Sequence, residues 1–127
     1  MVENKTLPES ELDIMLVVWE LGCEVTAPAI LNGLERPLTA SALHSYLKRL
    51  EENGFLSCAK RGKVNLYTPL VSRAEYQRTA GGSLLKKLYG NSITRFAAAL
   101  YDGEQVDRKE LEQLQKLLDQ LSGEERR

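Results

Sequence analysis

Residues Pro37 to Leu70 read PLTASALHSYLKRLEENGFLSCAKRGKVNLYTPL, and two periodicities meet in them. Leu43, Tyr46, Leu47 and Leu50 recur at helical spacing and make one apolar stripe. Thr39, just after Pro37, has a hydroxyl that can accept from the free amides of a first turn. Gly54, after Asn53, supplies the left-handed residue on which helices end. The spacing therefore predicts a helix over 39–53. Opposite its stripe stand Ser41, His44, Ser45 and Lys48, with Arg49 toward one flank and no acid before Glu51. Two short strands are expected next, Phe55 to Lys60 and Val64 to Leu70, because Val64, Leu66 and Thr68 alternate with Asn65 and Tyr67. Their turn, expected at Arg61-Gly62, exposes Lys60, Arg61 and Lys63 together.

A helix with a polar, basic outer face followed by a hairpin with a basic tip is the pattern of a winged helix-turn-helix. In that arrangement the helix enters the major groove, and the tip reaches a phosphate or a neighbouring groove. The elements before it agree. Pro8, Glu9 and Glu11 suit the start of a helix whose stripe is Leu12, Met15, Leu16 and Trp19, widened by Ile14, Val17 and Val18 and ended by Gly22. Thr26 can cap a second, short helix with Ala27, Ile30, Leu31 and Leu34 inward. In a helix-turn-helix this helix crosses the DNA backbone, which makes Thr26 a candidate phosphate contact as well as a cap.

Beyond the hairpin the pattern is helical throughout. Ser72 caps a helix reaching Tyr89, with Gly81-Gly82 in its middle as an expected bend, since each glycine costs a helix about 1 kcal/mol relative to alanine. Gly90-Asn91 breaks the pattern. Ile93, Phe96, Ala97, Leu100 and Tyr101 make the next face, a turn is expected at Asp102-Gly103, and Asp107 caps a last helix with Leu111, Leu114, Leu117, Leu118 and Leu121 along one side. Helices this short are not stable alone. Their apolar faces, together with Leu84 and Leu88, are best buried against a second copy of the chain. The fold expected is mainly α with a small β hairpin: a winged helix over 7–71, dimerisation helices over 72–122 and a loose tail over 123–127.

Charge is distributed unevenly along the 127 residues. Residues 1–35 carry net −6, residues 36–100 net +8 and residues 101–127 net −3, within a total of −1. A basic centre between acidic ends suits one polyanion-facing surface. The first ten residues, MVENKTLPES, lack the apolar core of a signal peptide, which predicts a cytoplasmic protein. The two cysteines, Cys23 and Cys58, are far apart and read as reduced structural thiols, and one histidine excludes a histidine-rich metal site. No cofactor or metal is expected. Cys58 and His44 have structural explanations and no phosphate loop or carboxylate pair near them, so catalysis is not expected either. The other class these residues allow is a winged helix that binds protein rather than DNA.

Three stretches carry a family resemblance. LPESELDIMLVVWELG resembles the opening L-[ST]-x-x-E-x-x-[IV]-M-x-x-[IL]-W of the penicillinase repressor family, which includes the methicillin-resistance repressor and copper-responsive relatives. TASALHSYLKRLEENGFL resembles its recognition helix with the following R-L-x-x-K-G, and KVNLYTPLVSRAEY its wing strand with the Y-x-P-x-V exit. The match runs from Leu7 to about Leu121. The resemblance implies a homodimeric repressor on a double-stranded, (pseudo)palindromic operator. It places Ser41, Ala42, His44 and Ser45 at base-facing positions, Arg49 at the arginine before leucine, and Lys60, Arg61 and Lys63 on the wing. It implies that the C-terminal helices hold the dimer, and the apolar faces read from their spacing place the expected contacts at Leu84, Leu88, Ile93, Phe96, Leu100, Leu111, Leu114, Leu118 and Leu121.

Departures from the family pattern shift those expectations. Ser41, Ala42 and His44 replace the Lys, Thr and Arg usual in penicillinase repressors, which implies a different operator. The Asn-Phe bond cut by a sensor-linked protease in those repressors is matched here by Ala99-Leu100, which argues against that protease as a partner. The copper branch's C-terminal Cys-x-Cys is absent, with no cysteine beyond Cys58.

Overall fold

The computed structural model describes residues 6–102 and 106–125. It shows six helices and one hairpin among them: α1 (Glu9–Leu21), α2 (Ala27–Gly33), α3 (Ala40–Glu52), β1 (Leu56–Arg61), β2 (Val64–Pro69), α4 (Arg73–Tyr89), α5 (Ile93–Asp102) and α6 (Arg108–Glu125). The chain divides into two compact units, one up to Ser83 and one from Leu84, a boundary that falls inside α4.

Each helix of the first unit begins and ends where local chemistry permits. Thr26 and Thr39 adopt extended backbone and accept from the amides of Ala29 at 3.3 Å and Ala42 at 3.0 Å. Gly22 closes α1 at φ 103°, its amide on the Val18 carbonyl. Gly54, at φ 83°, turns the chain after α3 so that Phe55 can return its amide to Leu50. Gly33 has a steric reason as well: a Cβ there would stand 2.7 Å from Val17 Cγ1, so a larger residue would require the Val17 side chain or α2 to shift.

The core gathers Ile14, Met15 and Val18 of α1, Ile30 of α2, Leu43, Leu47 and Leu50 of α3, and Phe55, Leu56, Tyr67, Val71 and Tyr76. One correction concerns α1. Its buried stripe is Glu11, Ile14, Met15 and Val18, whereas Leu12, Leu16 and Trp19 are only half-buried. The wide apolar face is used on two sides, since α1 packs on α2 and α3 and also on β2. Trp19 is held there by an indole N–H on the Val71 carbonyl at 2.8 Å and by the Tyr76 ring at 5.7 Å.

The hairpin is antiparallel, with Arg61 opposite Val64 and Leu56 opposite Pro69. The turn residues are Gly62 and Lys63, one place later than the expected Arg61-Gly62. Gly62 carries the positive φ of 64° that a two-residue loop demands. Val25 adds a short third rung, exchanging both backbone hydrogen bonds with Tyr67 at 2.7 and 2.8 Å.

Tyr76, near the start of α4, belongs to the first unit's core: its hydroxyl accepts from the Leu7 amide at 2.7 Å and its ring meets Phe55 edge-on. The start of α4 is a capping box. Ser72 Oγ accepts from the Glu75 amide at 3.1 Å, and Glu75 Oε1 accepts from the Ser72 amide at 3.2 Å. That hydrogen bonding by Ser72, from backbone first and side chain second, holds the Glu75 carboxyl below its ordinary value. The helix then runs unbroken through Gly81 and Gly82. A Cβ at either would meet nothing within 4 Å, so no close approach demands these glycines.

In the second unit, Gly90 and Asn91 both take positive φ and end α4, as their position suggested. Ser92 caps α5 at Arg95, and Asp107 caps α6 at Glu110. Tyr89 and Phe96 pack edge to face at 5.2 Å. The turn expected at Asp102-Gly103 meets α5 at Asp102, while Gly103 lies outside the described residues. The tail expected from Gly123 is helical as far as Glu125, Gly123 being an interior residue of α6, and residues 126–127 lie outside. Cys23 and Cys58 are both exposed free thiols, so neither is a core residue.

Candidate nucleic-acid interface

Burial of Leu43, Leu47 and Leu50 orients α3. At about 100° per residue, Ser41, Ser45 and Lys48 stand opposite that stripe, with His44 on one flank and Arg49 on the other. All five are exposed, and Ala42 is half-buried. An α-helix fits the major groove, where exposed serine, histidine and lysine side chains can meet base edges or phosphates.

The remaining expected contacts fall into two classes. Thr26 and Thr39 spend their side-chain oxygens on the amides of their own helices. On the wing, Lys60, Arg61 and Lys63 are exposed. Arg61 pairs with Glu24 at 3.3 Å, both largely in solvent. Lys60 and Lys63 have no acidic partner among the described residues. Just before α3, Arg36 is also committed: it bonds Asp13 and pairs with Glu9 at 3.3 Å, and the Asp13 bond first, then the two charges, raise its already high pKa.

Two participants were not singled out from the sequence. Glu24, at φ 55°, donates its amide to Thr68 Oγ1 at 3.1 Å and lies on Arg61, so it governs one wing cation. Only the return of the chain onto β2 brings them together. Glu11 is 1 % exposed and lies 3.7 Å from Arg49. Here a signal was present: Glu11, Ile14, Met15 and Val18 share one helical face, and an acid on a buried stripe calls for a cation.

The residues expected at a dimer contact all lie in the second unit. Leu88 and Ile93 are 67 % and 63 % exposed. Leu84, Leu111, Leu118 and Leu121 are likewise exposed, and Phe96, Leu100 and Leu114 half-buried. No helix among the described residues is long and apolar enough to cross a membrane, and no group of three potential metal ligands occurs among them.

The chain is similar to known proteins over nearly its whole length. The penicillinase repressor of Bacillus licheniformis is 23 % identical over 116 residues, covering 90 % of each chain. A protein from Latilactobacillus sakei, described as an uncharacterized 16.5 kDa protein in the ptsI 3′ region, is 32 % identical over 121 residues, which is 93 % of this chain and 82 % of that one. The solution structure of the DNA-binding domain of the repressor BlaI matches with a TM-score of 0.52 at 24 % identity, over 60 % of this chain and 94 % of that one, a likeness of fold. The family model described as penicillinase repressor matches residues 7–120, and the chain belongs to that family.

Proposed function

We propose that this chain is a DNA-binding transcriptional repressor that acts as a homodimer on a (pseudo)palindromic operator. The observation that carries the reading is the exposed polar face of α3, with no acid before Glu51 and basic at Lys48 and Arg49, in one unit with a hairpin tip carrying Lys60 and Lys63. Helix 39–53 reads base edges through Ser41, His44 and Ser45, with Ala42 beside them. The wing at 60–63 and the ends of the helix hold phosphates and set the register. The family membership and the DNA-binding function in the name of the structural neighbour support the same reading.

The uncovered leucines of the second unit supply the dimer contact. Two winged helices related by a two-fold axis match two inverted half-sites. Any signal that parts those helices would release the operator without touching the reading face. The test is binding to double-stranded fragments from the DNA upstream of its own gene, followed by protection mapping. The reading requires affinity that falls steeply with salt and two protected half-sites. A protein-binding winged helix would show neither, and that result would overturn the proposal.

A further inference from the structure

Glu11 is the one buried side chain among the described residues with an oxygen left without a hydrogen-bond partner. It sits in the first turn of α1, 1 % exposed, and its Oε2 lies 3.7 Å from Nη1 of Arg49. That distance makes an ion pair but not a hydrogen bond. The rest of the Arg49 side chain faces outward, 59 % exposed, on the flank of α3. A buried carboxylate with one distant cation is costly, and an apolar residue would serve the core at least as well. The helix N-terminus offsets part of that cost, but it does not explain why the acid faces the interface helix.

We propose that Glu11 is a positioning residue for DNA binding: it holds one edge of the Arg49 guanidinium so that the other edge presents to a backbone phosphate. Arginine suits this because its planar fork has five N–H donors and can serve two anions at once, which a lysine cannot do with the same geometry. Approach of a phosphate leaves Glu11 compensated, since Arg49 need not leave it. The contact fixes the register of α3 rather than reading a base. This inference rests on the DNA-binding reading above.

The test uses the full chain and a labelled duplex selected by the wild-type protein from a randomised pool. Glu11→Gln should weaken binding on the order of tenfold, the scale of one hydrogen bond to a charged group. Its salt slope should fall by about one. In an Arg49→Met background the same change should do nothing further. Arg49→Lys, which keeps the charge beside Glu11, should lose about as much as Glu11→Gln, and it tests the idea even if Glu11→Gln does not fold. Thermal melting of Glu11→Gln should be no lower than wild type, separating positioning from support of the fold. Three results would each overturn the proposal: unchanged or tighter binding by Glu11→Gln, an equal loss from it in the Arg49→Met background, or wild-type binding by Arg49→Lys. If the wild-type chain selects no duplex at any salt concentration, the functional reading fails instead.

Discussion

His44 stands exposed on the flank of α3, a position from which its ring can reach the edge of a base. His44→Ala should alter which base pairs the protein prefers, at about 1–3 kcal/mol for each good base interaction removed. Binding to a panel of single-base operator variants measures it, and an unaltered preference would remove His44 from the reading set. The wing cations should behave differently, because a phosphate is the same at every sequence. Lys60→Ala with Lys63→Ala should weaken binding to all duplexes alike and lower the salt slope by about one for every phosphate no longer held. Arg61 is the weaker candidate, since Glu24 already holds it. An exposed pair of that kind is worth only about 0–1 kcal/mol, so a phosphate can still compete for it.

Among the elements, α4 carries two opposite tendencies. Its first turn is well made: Ser72 and Glu75 satisfy each other's amides, and Tyr76 locks the next turn into the core. Ser72→Ala should cost about 0.5–2 kcal/mol, the ordinary range for removal of a cap, read from thermal or denaturant unfolding. The same box carries a pH dependence. Glu75 has a carboxyl below its ordinary value in the folded chain, so its contribution is complete above the unfolded carboxylate range and is lost as pH falls through that range and below. Protection of the amides at the start of α4, measured as exchange relative to the intrinsic rate at each pH, should therefore fall on acidification, and Glu75→Gln should remove that dependence. The middle of the helix is poorly made. Gly81→Ala and Gly82→Ala meet no neighbouring atom and should each stabilise the chain by about 1 kcal/mol in unfolding experiments.

For the molecule as a whole, the decisive property is its oligomeric state. In the second unit Leu84, Leu88 and Ile93 are exposed, and the proposed dimer would cover them. The full chain should sediment as a dimer at micromolar concentration. A chain ended after Tyr89, where α4 stops, keeps the whole core of the first unit and should be a folded monomer. It should retain half-site binding yet lose operator affinity by about 10²–10⁴-fold, because the second half-site no longer benefits from linkage. A monomeric full chain, or a dimeric truncated one with full affinity, would refute the proposed role of α5 and α6.

Sequence alone determined the order of elements and the outward face of the third helix. Those features rest on local chemistry: caps at Thr26, Thr39, Ser72 and Asp107, glycine terminations at Gly22, Gly54 and Gly90, and the three-and-four spacing of Leu43, Leu47 and Leu50. It misjudged the burial stripe of α1 by one position, because an almost wholly apolar helix leaves its inward face to its neighbours. It also misplaced the turn by one residue, which only the pairing register of the strands fixes. What tertiary structure decided is which charges are spoken for. Arg61 meets Glu24 and Arg36 meets Asp13 across 37 and 23 positions of chain, and Arg49 of α3 meets Glu11 of α1. No local pattern encodes such pairings: they arise because packing α1, α3 and the hairpin around one core brings distant side chains within Coulombic reach.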